Sequence, residues 1–113
     1  MHEMALAQGI VDLVADHVRG IETSGVRWIK LEIGALSHVD PHALRFCFDS
    51  VAHGTRAEGA ALVIDEPPGR GRCMACGSLV TIARRGDGCP ACGSGQVLTI
   101  DGDQMRVVEL EVL

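Results

Sequence analysis

Two Cys-x-x-Cys-Gly turns constrain this chain more than any other part of its sequence. They occupy residues 73–77 and 89–93, and twelve residues separate their cysteine pairs. Each turn can direct two thiolates to one point, and its glycine permits a positive φ that turns backbone N–H groups towards sulfur. Four thiolates in a tetrahedron suit Zn²⁺. The spacing therefore predicts a structural zinc site whose ligands are Cys73, Cys76, Cys89 and Cys92.

Two other structures are compatible with the same turns. The cysteines could form a pair of disulfides, or they could hold iron in a rubredoxin-like site. The amino terminus lacks the basic start and apolar run of a signal peptide. Four of the five cysteines have metal-ligand spacing, which is typical of a reducing compartment rather than a secreted disulfide framework. We therefore expect a cytoplasmic protein.

The composition excludes several classes of partner. A hydrophobic fraction of 47% and a charged fraction of 22% in 113 residues indicate a globular chain. The net charge of −5 opposes nucleic-acid binding, and aromatic residues make up only 3% of the chain, too few for base stacking. No segment approaches the roughly 18 consecutive apolar residues of a membrane span. We expect neither nucleic acid nor a membrane as a partner.

Hydrophobic periodicity predicts two helices and two strands before the cysteines. Apolar residues spaced by three or four indicate a helix from Glu3 to about residue 19. Strict alternation indicates a strand over residues 26–33, and a second strand is expected over residues 60–65. Asp40 and Pro41 have the residue types of a helix N-cap and first helical position, so a second helix begins there.

A proline-rich break at residues 66–69 separates this part from the cysteine turns. Short strands are expected over residues 79–83 and 96–100, and residues 101–103 lead back to the body. Residues 105–112 alternate again and predict a further strand. Its apolar side, which includes Val108, needs a partner larger than a zinc ribbon.

The most economical fold places this last strand with the first two. We therefore predict an α+β fold with a three-stranded antiparallel sheet and two helices, plus an inserted four-cysteine zinc-ribbon domain. The first domain would comprise residues 1–66, completed by the strand at 103–113. The insertion would comprise residues 67–102. Both connections are rich in proline or glycine, which predicts relative motion of the two domains.

His2 is the second feature that could carry chemistry. A histidine next to a free amine offers three nitrogens, from the α-amine, its own amide and its imidazole, and Ni²⁺ and Cu²⁺ favour such tetragonal nitrogen sites. We expect Met1 to be retained because a bulky second residue hinders its removal. A polar terminal residue is also often simply solvated. No phosphate-binding loop, nucleophile elbow or nucleophile–base pair is present, so we do not expect an enzyme.

Four stretches together resemble the HypA/HybF family of hydrogenase nickel-incorporation proteins. They are Met-His-Glu at residues 1–3, Leu-Glu-Ile-Gly-Ala-Leu-Ser-His-Val-Asp-Pro at 31–41, Leu-Arg-Phe-Cys-Phe at 44–48, and the two cysteine turns. The resemblance spans nearly the whole chain. It implies a nickel-binding α/β domain of three strands and two helices, with a zinc domain inserted before the last strand.

The resemblance also implies a function. The protein would be a metallochaperone that carries Ni(II) to the large subunit of a [NiFe]-hydrogenase, together with a HypB-type GTPase. His2 and Glu3 match the nickel-binding residues of the family, with the Met1 amine and Asp40 as further candidates. The four cysteines would hold Zn(II). Some relatives add a histidine from the zinc domain, whereas residues 67–102 contain none here.

Other functions remain open at this stage. The cysteine module could be a zinc ribbon that docks protein or nucleic acid through its four arginines, with no role in nickel binding. A weak homodimer is also open. A third hypothesis is a redox carrier that holds iron in the cysteine turns. Dependence on His2 separates the nickel carrier from the docking module, and a colourless purified protein would exclude the redox carrier.

Overall fold

The computed structural model describes residues 2–113, which form two helices and six strands. In chain order the elements are α1 (Glu3–Val18), β1 (Val26–Ile33), α2 (Pro41–Ala52), β2 (Ala61–Asp65), β3 (Gly69–Cys73), β4 (Leu79–Ile82), β5 (Val97–Asp101) and β6 (Met105–Val112). One three-stranded sheet has the order β2-β1-β6, and the other has the order β4-β3-β5. The predicted α+β fold, with antiparallel sheets, two helices and a clustered set of four cysteines, is confirmed.

The two helices form where the sequence predicts them and pack against each other. α1 buries apolar residues at three- and four-residue intervals, including Ile10, Val14 and Val18. At the start of α2, the carboxylate of Asp40 accepts the backbone N–H of His42 at 2.9 Å, which satisfies a donor that has no partner within the helix. Pro41 follows at the first helical position, where it removes no helical hydrogen bond.

In the first sheet, the predicted alternation of buried and exposed residues is found in β1 but only partly in β6. In the central strand β1, Ile29, Leu31 and Ile33 are buried as predicted. In the edge strand β6, the prediction is wrong at Val108, whose side chain is 46% exposed. The half-buried residues of β6 include Val107 and Leu110, three positions apart, so the strict two-residue alternation is interrupted between them.

The chain divides into two compact units. The first contains the chain up to Leu31, together with Val39–Ile64 and Val107–Leu113. The second contains Glu32–His38 and Asp65–Arg106. The loop after β1 therefore belongs to the same unit as the four cysteines.

Hydrogen bonds attach this loop to both proline- or glycine-rich connections. The N–H of Ala35 donates to the carbonyl of Pro67 at 2.9 Å, and the N–H of Leu36 donates to the carbonyl of Gly102 at 2.7 Å. The Leu36 side chain is buried in one cluster with Cys73 and Cys89. These contacts hold the ends of the connections in place within the second unit.

β3 is an element that the sequence analysis does not predict. Its sequence, Gly-Arg-Gly-Arg-Cys, is poor in the β-branched and aromatic residues typical of strands. The glycines are explained by packing, because a Cβ at Gly69 would lie 2.5 Å from the Leu36 side chain and one at Gly71 would lie 2.5 Å from the Val97 side chain. β3 is therefore a strand whose inner face has no room for side chains at these two positions.

Candidate metal centres

The two cysteine turns have the same local backbone structure. In the first, the N–H of Gly77 donates to the carbonyl of Cys73 at 2.8 Å, and in the second the N–H of Gly93 donates to the carbonyl of Cys89 at 2.7 Å. Both glycines have positive φ, 77° and 81°, as the sequence predicts. The repeated Cys-x-Ala-Cys-Gly-Ser sequence thus folds twice into the same turn.

These turns bring the four sulfur atoms together. All four lie within 4.8 Å of one another, with Cys73 and Cys92 at 3.6 Å and Cys76 and Cys89 at 3.8 Å. A tetrahedral ion with metal–sulfur bonds of about 2.3 Å requires sulfurs about 3.8 Å apart. The distances are far longer than the roughly 2.05 Å of a disulfide bond, and all the cysteines are free. The cluster therefore fits a four-thiolate metal ion and not a pair of disulfides.

Burial within the cluster alternates between the first and second cysteine of each turn. Cys73 and Cys89 are buried, whereas Cys76 and Cys92 are exposed. The buried pair also belongs to the apolar core of the second unit, together with Leu36, Val80 and Ile82. Two of the four predicted ligands are thus part of the packed interior.

Hydrogen bonds shift the acidity of the thiols in opposite directions. The Ser78 hydroxyl, followed by the backbone of Ser78, lowers the pKa of Cys76 to about 6. The pKa of Cys92 is raised to about 12, because a lowering contribution from the Ser94 backbone is outweighed by the Cys73 thiol, desolvation and the other thiols. Four neighbouring thiols cannot all ionise without a cation between them, so a divalent ion is the natural counter-charge for this cluster.

The predicted amino-terminal nickel ligands lie in the first unit. His2 is exposed and precedes α1, and its carbonyl accepts the N–H of Leu6 at 2.8 Å. The Glu3 carboxylate accepts the backbone N–H of Asp40 at 3.1 Å. The Met1 amine, the fourth predicted group, lies outside the described residues.

The pKa of Glu3 is lowered from 4.5 to about 2. The backbone N–H of Asp40, which donates to the Glu3 carboxylate, is one of the causes that lower this pKa. Glu3 is therefore a carboxylate at any physiological pH, which is the protonation state a metal ligand needs.

The described candidate nickel ligands do not form a cluster of ligand atoms, whereas the four cysteines do. Within residues 2–113, the four cysteines are the one group of three or more His, Cys, Asp or Glu side chains whose ligand atoms lie close together. One oxygen of the Asp40 carboxylate already accepts the N–H groups of His42 and Ala43. The roles of His2, Glu3 and Asp40 in nickel binding therefore stay predictions.

Sequence reasoning missed two residues that support these sites. The Ser78 hydroxyl lies 3.3 Å from the Cys76 sulfur, and Leu36 packs against the cysteines from a loop far away in sequence. Ser78 could have been found, because a serine directly follows the glycine of both cysteine turns. No sequence signal marks Leu36, because it is one apolar residue among many.

The fold and the cysteine cluster together define a class: a small α+β protein with a four-thiolate metal site in a separate compact unit. Within residues 2–113 no helix combines the length and the apolar character needed to cross a membrane. Residues 1–112 match the family HypA, described as "Hydrogenase/urease nickel incorporation, metallochaperone, hypA". The chain belongs to the HypA family, and the family resemblance noted from the sequence is confirmed.

Individual relatives agree with this assignment. The chain is 54% identical to hydrogenase maturation factor HypA 1 of Bradyrhizobium diazoefficiens and 48% identical to hydrogenase maturation factor HypA of Dechloromonas aromatica, covering 99% of each. Among solved structures, it is similar to the nickel metallochaperone HypA of Helicobacter pylori, with a TM-score of 0.67 at 23% identity over 98% of that chain. A second HypA solution structure gives a TM-score of 0.71 over 97% of that chain, also at 23% identity. The two structures support the fold, and the family is one of metallochaperones, which confirms that the chain is not an enzyme.

Proposed function

We propose that this protein binds Ni(II) at its amino terminus and delivers it to the large subunit of a [NiFe]-hydrogenase. Membership of a family of nickel-incorporation metallochaperones supports the proposal. One structural observation supports the location of the site. Glu3, which directly follows the exposed His2, accepts a hydrogen bond from the backbone N–H of Asp40 through its carboxylate. His2 and Glu3 would bind nickel with the Met1 amine, and Asp40 would contribute from the start of α2.

Such a site suits a carrier because it can exchange its metal. A ligand set at a chain terminus can detach one ligand at a time, whereas a closed four-thiolate site with two buried ligands releases its ion slowly. The Asp40 N–H fixes the Glu3 carboxylate before the metal arrives, so less conformational entropy is lost on binding. Nickel in this scheme is the cargo.

The cysteine cluster would hold a resident Zn(II) through Cys73, Cys76, Cys89 and Cys92. Its geometry fits zinc, and zinc would supply structural cross-linking between the two turns. Iron fits four thiolates at similar distances, so the metal must be identified directly. We expect a purified protein that is colourless and contains one zinc per chain by elemental analysis.

The proposal also covers the roles of the two domains, the partner proteins and the cellular compartment. We assign nickel binding to residues 1–66 with 103–113 and zinc binding to residues 67–102. The partners would be a HypB-type GTPase and the hydrogenase large subunit, in the cytoplasm, with at most a weak homodimer. The family description names urease as well as hydrogenase, so urease is a second acceptor to test.

A calorimetric Ni²⁺ titration of the untagged, zinc-loaded chain tests the proposal. The terminus must be free, because a tag would replace the α-amine. We expect one Ni²⁺ per chain in the wild type and loss of that binding in His2→Ala. Nickel binding that is equal in both proteins would show that the site lies elsewhere, and no binding in either would reject the carrier.

A further inference from the structure

One face of the sheet β4-β3-β5 is exposed and carries both apolar and basic side chains. We call it the arginine face, and it lies entirely within the second unit. The antiparallel register places Arg72 of β3 between Leu79 of β4 and Leu98 of β5. The residues of β3 that alternate with its arginines are buried on the other side of the sheet. The arginine face consists of Arg70, Arg72, Leu79, Leu98 and Ile100, with the exposed Thr81 and Asp101 on either side of Arg70.

The apolar side chains of the arginine face are exposed in neighbouring positions of the sheet. Leu79 and Ile100 are each 50% exposed, and Leu98 is 57% exposed. Single exposed apolar residues are common, but several side by side on one sheet face are typical of an interaction surface. The opposite face already packs on Leu36 and the cysteine cluster, so it has its own apolar partner.

The arginines of this face are available for a partner. Within residues 2–113, Arg70 forms no side-chain hydrogen bond or ion pair, although Asp101 is its register neighbour. The Asp101 carboxylate accepts the N–H of Gly102 instead, at 2.9 Å. Arg72 donates to the carbonyl of Gly77 at 3.1 Å and keeps its charge unpaired. Unpaired arginines between leucines favour a partner that offers carboxylates and apolar side chains.

We propose that the arginine face is a docking surface for an acidic, partly apolar surface of the protein that receives the nickel. This inference depends on the proposed carrier function. Nucleic acid fits poorly, because the face has two arginines and no aromatic residue on a chain of net charge −5. A symmetric contact with a second copy also fits poorly, because it would bring Arg70 and Arg72 of both copies together.

Docking and nickel binding use different residues. The predicted nickel ligands His2, Glu3 and Asp40 belong to the first unit, whereas the arginine face belongs to the second. A substitution on the arginine face should therefore weaken docking and leave nickel affinity unchanged. This separation makes the docking surface testable with the nickel-free protein.

The test measures binding of the full-length, zinc-loaded, nickel-free chain to the purified, nickel-free hydrogenase large subunit by biolayer interferometry. We expect Arg70→Glu and Leu98→Ser each to weaken binding by about tenfold or more. Arg70 is preferred to Arg72, because Arg72 also contacts the first cysteine turn. Raising the salt concentration should weaken binding of the wild type, and it should weaken binding of Arg70→Glu by a smaller factor.

Two substitutions of the same kind serve as controls. Arg84→Glu makes the same charge change at an exposed residue of the second unit outside its sheet. Leu113→Ser removes an apolar side chain that is 56% exposed, nearly as much as Leu98. Both should bind within about twofold of the wild type. Zinc content and thermal unfolding of all four variants establish that each is folded.

Several outcomes would overturn the proposal. Equal binding by all variants, or equal loss in Arg70→Glu and Arg84→Glu, would mean that the arginine face is not the contact. No binding by the wild type would reject it as well, and a wild-type dimer in sedimentation that Arg70→Glu dissociates would identify a second copy as the occupant. The nickel titration is independent: a chain that binds nickel but does not dock rejects only the docking surface, and one that docks without binding nickel rejects the carrier.

Discussion

At the scale of single residues, Asp40 connects two structural roles. Its side chain caps α2 by accepting the N–H of His42, while its own N–H donates to the carboxylate of Glu3. The first role is readable from Asp-Pro at a helix start. The second is not, because the donor is a backbone amide 37 residues from Glu3 and no side-chain pattern marks it. The clustering of the four cysteines could be predicted because a side-chain pattern marks it, whereas the hydrogen bond that holds Glu3 could not.

Replacement of Asp40 by asparagine and by alanine separates its roles. Asn is also a good N-cap, so Asp40→Asn should leave the free energy of unfolding nearly unchanged, whereas Asp40→Ala should lower it by about 1 kcal/mol. If the carboxylate binds nickel as proposed, both variants should weaken Ni²⁺ binding. Denaturant unfolding and calorimetry measure the two effects. Full nickel affinity in Asp40→Asn would show that the carboxylate only caps the helix.

At the scale of elements, a strand can be predicted when its side chains alternate between buried and exposed positions. It cannot be predicted in this way when its buried positions are glycines, which have no side chain. β1 alternates buried and exposed residues and was predicted with its correct bounds. β3 was missed because Gly69 and Gly71 occupy its buried positions, where neighbouring side chains leave no space for a Cβ. That close approach depends on Leu36 and Val97, which are distant in sequence. Local propensity therefore gave no indication of a strand.

Gly71→Ala tests this account of β3. The added Cβ would lie 2.5 Å from the Val97 side chain and 3.1 Å from the Leu98 carbonyl, so the strand must shift. We expect the free energy of unfolding to fall by about 1–3 kcal/mol. Gly95→Ala is the matched control, since its Cβ would meet no heavy atom within 4 Å. Thermal melts of both zinc-loaded variants measure the difference, and equal stability would contradict tight packing at Gly71.

At the scale of the whole molecule, the metal site and the core of the second unit are one structure. Cys73 and Cys89 are buried in a cluster whose other members are Leu36, Val80 and Ile82. A core this small cannot stabilise a unit without help, and a bound metal ion is one of the usual supports. Metal binding should therefore contribute directly to folding of the second unit, including its segment Glu32–His38 at the end of β1 and in the loop that follows.

Removal of the metal should therefore loosen the second unit selectively. The amide of Leu36 donates to the Gly102 carbonyl at 2.7 Å, and the amide of Leu44 donates to the Asp40 carbonyl in the first turn of α2. After chelation, we expect hydrogen exchange of the Leu36 amide to accelerate by about a hundredfold or more, with little change at Leu44 in the first unit. Restored zinc should restore protection. Equal acceleration at both amides would show that the two units unfold together, and no change at Leu36 would show that apolar packing alone holds the loop.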